Sequence, residues 1–138
     1  MGDLLVVVGP RCRVAECGER GEEEGLFEVC DTDALATTVW QERYVGAVTP
    51  EVRELAAAMP ARALYLLTSE VGVAFEDDGL RDGEHLRAWM NGRFREVPAA
   101  QPVPWIELTG SREQRLDTAL AAVDALLAQG QGLADPLG

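Results

Sequence analysis

Four short runs, Leu4–Val8, Leu26–Cys30, Ala63–Thr68 and Trp105–Leu108, are apolar almost throughout and are separated by stretches with helical periodicity. A strand with one wet face alternates polar and apolar residues, whereas an unbroken apolar run has to be buried on both faces. Helices between such strands supply both the cover and the crossovers. The pattern therefore predicts an α/β domain: a three-layer parallel sheet of about four strands flanked by helices. With 138 residues, 47% of them hydrophobic, the chain has material for one core. The expectation is a single domain over 1–129 and a flexible tail over 130–138. Glu28, inside the second run, departs from the all-apolar pattern.

Punctuation fixes where the helices fall. Asp31-Thr32-Asp33 opens a helix, with Thr32 or Asp31 able to cap its bare amides and Leu35, Val39 and Trp40 as its apolar stripe. Gly46 closes it. Thr49-Pro50-Glu51 opens a second helix, carrying Val52, Leu55, Ala56 and Met59 and stopped by Pro60. Residues 76–83 read as a polar flap. Asp82 or Gly83 then starts a helix to about Arg95, with Leu86, Trp89, Met90 and Phe94 on one face, and Pro98, Pro102 and Pro104 break the chain after it. Ser111 with Gln114 three residues on is a capping box. It leads a helix whose Leu116, Leu120, Val123 and Leu127 recur at helical spacing.

Charge and cysteine content exclude several function classes. The net charge is −12, lysine is absent, and all twelve basic residues are arginine. So acidic a surface repels phosphate backbones, which argues against a nucleic-acid partner. No stretch approaches the roughly 20 apolar residues of a membrane span. Leu4–Val8 is too short for a signal-peptide core and follows Asp3 where such a signal carries positive charge. A cytoplasmic protein without a membrane partner is expected, and the odd count of Cys12, Cys17 and Cys30 fits reduced thiols. Cys12 and Cys17 with the lone His85 make only a weak metal signature.

In open parallel sheets ligands gather beyond the carboxyl ends of the strands. That directs attention to 9–13, 31–38, 68–81 and 109–112. Asp31 and Asp33 can cap a helix, or hold a metal or a substrate. Thr37 and Thr38 can reach a ligand hydroxyl or bond back to their own helix. Trp40 and Tyr44 lie one turn apart and can either stack on an aromatic ring or join the core. Between 81 and 95, Arg81, Arg87, Arg93 and Arg95 stand against only Asp82 and Glu84. Arginines on a flap can clamp phosphate, or simply pair with Glu76, Asp77 and Asp78.

Four motifs in order carry a resemblance: the strand and turn Val29-Cys30-Asp31-Thr32-Asp33 continuing to Thr38, Tyr44-Val45-Gly46, Asp77-Asp78-Gly79-Leu80-Arg81, and Pro104-Trp105-Ile106-Glu107. Over 26–128 the chain resembles the nicotinamide riboside kinase domain of NadR and its AAA-like P-loop relatives. The resemblance implies ATP and Mg2+ as cofactors and a small-molecule nucleoside or nucleotide as the bound partner, with phosphoryl transfer to a ribose 5′-hydroxyl in NAD salvage. It implies that Asp31 assists the magnesium ion, that Asp33 holds the ribose or accepts the hydroxyl proton, that Thr37, Trp40 and Tyr44 line the substrate, and that Arg81 and Arg87 neutralise the phosphate. The chain departs from the family where G-x-x-x-x-G-K-[ST] belongs: Leu4–Val8 runs instead into Gly9-Pro10-Arg11-Cys12-Arg13. The expectation is thus a truncated or diverged kinase-like domain, weak or inactive alone, with a noncatalytic nucleotide-binding or interaction module as the alternative. In either case Leu4–Val8 can fill the sheet's vacant slot, and the apolar surface left by a shortened domain would favour a homodimer.

Overall fold

The computed structural model describes residues 5–10, 27–59, 62–74 and 83–129. The flap motif with Arg81, the stretch holding Cys12 and Cys17, and the tail at 130–138 lie outside them. The elements are β1 (Leu5–Pro10), β2 (Phe27–Cys30), α1 (Ala34–Val45), α2 (Pro50–Ala58), β3 (Leu64–Thr68), a 3-10 turn (Glu84–Leu86), α3 (Arg87–Ala99), β4 (Trp105–Leu108) and α4 (Arg112–Ala128).

The strands form one sheet in the order β2-β1-β3-β4. Only β3 and β4 pair in parallel; β1 runs antiparallel to both of its neighbours. The expected all-parallel sheet is therefore corrected to a mixed one. The first run does take a central position, but reversed, with Leu5 opposite Leu67 and Val8 opposite Leu64 on one side, and Val7 opposite Cys30 on the other. Antiparallel neighbours need no crossover helix, so nothing in the 11–26 connection has to bridge the sheet. The strand also runs further than expected, through Gly9 and Pro10. Pro10 pairs with Phe27 beyond the end of the β1–β3 ladder, where its missing N–H costs no bond to β3.

β3 explains why its sequence does not alternate. Tyr65 and Leu67 join Ala36, Val39, Met90 and Phe94 in the core under α1 and α3. Leu64 and Leu66 join Leu108 and Leu126 in a second core under α4. These four of the five β3 residues are buried, as a central strand between two helical layers requires.

The caps follow the sequence closely. Asp33, rather than Thr32 or Asp31, caps α1 by accepting from the Ala36 N–H at 3.0 Å. Gly46 ends α1 at φ 85°, a left-handed conformation that favours glycine. Ser111 and Gln114 complete the capping box of α4. Gln41 clamps the α1–α2 corner, accepting from the Thr49 N–H at 2.7 Å and donating to Thr49 Oγ at 3.1 Å.

Two helical expectations are corrected. Pro98 does not break the chain but lies buried in the last turn of α3. The leucine stripe of α4 is not its buried face: Leu116, Leu120 and Leu127 are exposed, while Ala119, Ala122, Val123 and Leu126 meet the sheet. Small residues let the helix approach closely, and the leucines flank the seam. On α3, Trp89 is 40% exposed and the fully buried Asn91 sits among the apolar residues instead. Among the described residues no helix is long and apolar enough to cross a membrane.

Candidate functional site

Strand register decides which candidates meet. Cys30 and Tyr65 both lie opposite Val7, so β2 ends level with the second residue of β3. Three further residues, about 10 Å at the rise of a strand, carry β3 to its own carboxyl end. The Asp31–Asp33 turn thus opens towards the same edge as Ser69 but stops short of it. The reversal of β1 sends Gly9 and Pro10 to the amino ends of β2 and β3. β2, β3 and β4 run the same way, so the segments after all three open on one edge, that after β2 set back by three residues, while Gly9 and Pro10 lie at the opposite edge.

At that edge Ser69, 1% exposed, donates its N–H to the Leu108 carbonyl at 3.0 Å. Arg115, from the first turn of α4, holds three carbonyls at once: Ser69 at 2.7 Å, Val71 at 2.9 Å and Gly110 at 2.8 Å. Beside it Arg95 forks onto Glu107, with contacts of 2.6 and 3.1 Å, and reaches Glu70 at 3.3 Å. The Arg95 hydrogen bond holds the Glu107 carboxyl below its usual range, and Glu107 raises the Arg95 pKa in return. Arg87 donates through both terminal nitrogens to the Val73 carbonyl at 3.2 Å. These arginines bind protein carbonyls and carboxylates, which makes this edge a latch between β3, β4, α3 and α4. Sequence reasoning passed over Arg115 because nothing local distinguishes a guanidinium aimed at carbonyls from a solvated one.

The other cluster is built on Asp33. Its carboxylate is 2% exposed; one oxygen caps α1 and the other lies 3.7 Å from Arg62 Nε. Neither Asp33 Oδ2 nor Arg62 Nε has a hydrogen-bond partner, although both are buried. Tyr65 adjoins them: burial first, then the Asp33 charge, push its hydroxyl up to about 12 against the opposing pull of Arg62. Arg62 and Tyr65 line a cavity of about 220 Å3 together with Leu35, Met59, Gln101 and Val103. The cavity is shallow and of mixed lining, aliphatic from Leu35, Met59 and Val103 and polar from Arg62, Tyr65 and Gln101. An Oδ2 lacking a donor beside an Nε lacking an acceptor matches a hydroxyl, which both donates and accepts.

Residues 33, 37, 40 and 44 share one stripe of α1, but their environments differ. Thr37 is exposed and returns its hydroxyl to the Asp33 carbonyl at 3.1 Å, as Thr38 does to Leu35 at 2.6 Å. Trp40 stacks on Tyr44 with centroids 6.1 Å apart and meets Phe94 edge-on. Tyr44 is 64% exposed, and the Arg43 guanidinium lies 4.8 Å from its ring centre. Asp33 and Tyr44 stand at opposite ends of α1, roughly 16 Å apart along its axis, so they form two sub-sites and not one cluster. Asp31 is exposed at the helix entrance. His85 is exposed on the 3-10 turn, and among the described residues no group of three His, Cys, Asp or Glu side chains converges as a metal site would require.

A family model described as an AAA domain matches residues 13–115. None of the curated proteins matches the chain. No solved structure matches it either.

Proposed function

The chain belongs to the AAA-domain family, whose model spans about three-quarters of it, and from that premise we propose a kinase-derived domain that keeps a nucleoside-type binding end and has lost phosphoryl transfer. The family is nucleotide-binding and P-loop-like. The NadR-type motifs at 29–38, 44–46 and 104–107 narrow the proposed ligand to a riboside such as nicotinamide riboside.

The observation that carries the loss of chemistry is the direction of β1. A phosphate loop acts because it follows a strand whose carboxyl end opens on the substrate edge, where its amides and lysine meet the phosphates. Here Gly9 and Pro10, the last residues of the N-terminal strand, lie at the other end of the sheet, and there is no lysine. The residues present do not fit a magnesium–nucleoside triphosphate, and no phosphoryl-transfer step follows from them. What supports binding is the Asp33–Arg62–Tyr65 cluster, with its two orphaned polar atoms, and the Trp40–Tyr44 stack at the far end of α1.

Calorimetry with nicotinamide riboside, without ATP, is expected to give a one-site isotherm that Asp33→Asn weakens at least tenfold. An assay for nicotinamide mononucleotide with magnesium-ATP is expected to give none. Turnover that Asp33→Asn abolishes would overturn the loss of catalysis, and absence of riboside binding at millimolar concentration would overturn the binding role.

A further inference from the structure

The two faces of the sheet are covered unequally. α1 and α3 pack side by side on one face, over Tyr65 and Leu67. On the other, α4 alone among the described helices packs into the core, and it lies over β3 and β4 against Leu64, Leu66, Ile106 and Leu108. Neighbouring strands are about 4.8 Å apart and packed helices about 8–10 Å apart, so a four-stranded sheet has room for two helices on each face. The unfilled place is over β1 and β2. Val29 stands in it. The register sets Val29 opposite Val8 and Val8 opposite Leu64, which puts Val29 on the α4 face, and Val29 is 60% exposed.

α4 turns a second apolar row towards that place. Ala119, Ala122 and Leu126 meet the sheet, while Leu116, Leu120 and Leu127 are exposed. At about 100° per residue these leucines fall within roughly 40° of one another, about a quarter turn round the helix from the sheet-facing row. The β2–α1–β3 and β3–α3–β4 crossovers carry their helices on the opposite face. With the right hand that such units adopt, the leucine row points away from the β4 edge and towards β1 and β2. Positions 116, 120, 123 and 127 also follow the four-three-four spacing of a helix–helix seam. On the solvent rim of that seam Asp117 and Asp124 each sit one residue after a seam position. Both are exposed, and neither forms an ion pair among the described residues.

We propose that this berth, floored by Val29 and walled by Leu116, Leu120 and Leu127, receives one amphipathic helix of a basic partner protein, its apolar stripe against the leucines and its Lys or Arg flank against Asp117 and Asp124. Charge selects the occupant. Two copies of this chain joined antiparallel through α4 would set Asp117 of one beside Asp124 of the other, between molecules that each carry −12. A helix with cations at the flanking positions satisfies those carboxylates instead, and the seam spacing of the leucines accepts its stripe.

The probe is a synthetic helix of 17 residues, the length of α4, with leucine at seam positions and lysine at flanking positions. Its counterpart carries glutamate in place of lysine. Fluorescence anisotropy with the full-length chain is expected to show saturable one-to-one binding of the lysine peptide and none of the glutamate peptide. Leu116→Gln with Leu120→Gln should weaken that binding about tenfold by removing two apolar contacts. Asp117→Asn with Asp124→Asn should weaken it and flatten its salt dependence. Glu51→Gln with Glu54→Gln, two exposed carboxylates of α2, should leave it unchanged. Equal loss from the α2 pair would reduce the binding to general charge attraction and overturn the berth. Methyl NMR of the wild type, which depends on no variant, should place the peptide-induced shifts at Val29, Leu116, Leu120 and Leu127. Shifts elsewhere would overturn the proposal. So would leucine methyls shielded from a soluble paramagnetic agent before peptide is added, which would show the berth filled from within the chain. A dimer in light scattering that Leu120→Gln disperses would do the same by showing it filled by a second copy.

Discussion

Asp33 serves two partners with one carboxylate, and the two can be separated by substitution. Asparagine preserves the acceptor for the Ala36 N–H but leaves Arg62 without its counter-charge; alanine removes both. The ion pair is buried, yet at 3.7 Å it makes no hydrogen bond, so its loss should cost about 1–2 kcal/mol and not the larger figure of a well-made buried pair. Losing the cap adds about 1 kcal/mol. Urea midpoints should therefore fall in the order wild type, Asp33→Asn, Asp33→Ala. Combining Asp33→Asn with Arg62→Ala should cost less than the sum of the two single changes. Asn91 gives the opposite expectation. It is fully buried with neither amide atom partnered, so Asn91→Leu, of similar volume, should raise stability by about 1 kcal/mol; a lower midpoint would mean the amide is satisfied in solution.

Elements whose signals are local were readable from the sequence. The capping box at Ser111 and Gln114, the left-handed Gly46 and Pro50 at the first turn of α2 each act within a few residues, so composition and spacing suffice to find them. Ser111→Ala should cost about 1 kcal/mol by removing the acceptor for the Gln114 N–H, measurable as a lower thermal midpoint without loss of the α4 fold. What could not be read was anything set by pairing between distant strands. The apolar run at Leu4–Val8 looks the same whether it runs parallel or antiparallel, and that choice moved Gly9 away from the edge where ligands were expected. The stagger of β2 against β3 is equally silent in the sequence, yet it separates Asp31 and Asp33 from Ser69. On α4 the regular leucines concealed that smaller residues make the closer approach.

Two titrations shape the stability of the whole molecule. Glu107 ionises more easily folded than unfolded because Arg95 grips it, so its contribution is complete above the ordinary carboxylate range and disappears as pH falls through the depressed folded value. Tyr65 holds its proton more tightly when folded, so its contribution is intact below about pH 10 and is lost as pH rises towards about 12. Stability plotted against pH should accordingly droop on both sides. Glu107→Gln should flatten the acid limb and Tyr65→Phe the alkaline one, each leaving the other limb in place.

Among the described residues β2 touches the sheet only through β1, so the two strands are linked in series. Every opening that frees β1 also strips β2 of its ladder, so slow hydrogen exchange at Phe27–Cys30 can be no slower than at Leu5–Val8, whatever the protection of β3 and β4. A mass-resolved exchange experiment should find the first two strands releasing their deuterons together and ahead of the Leu64–Thr68 and Trp105–Leu108 pair, a fault line running through the middle of one continuous sheet.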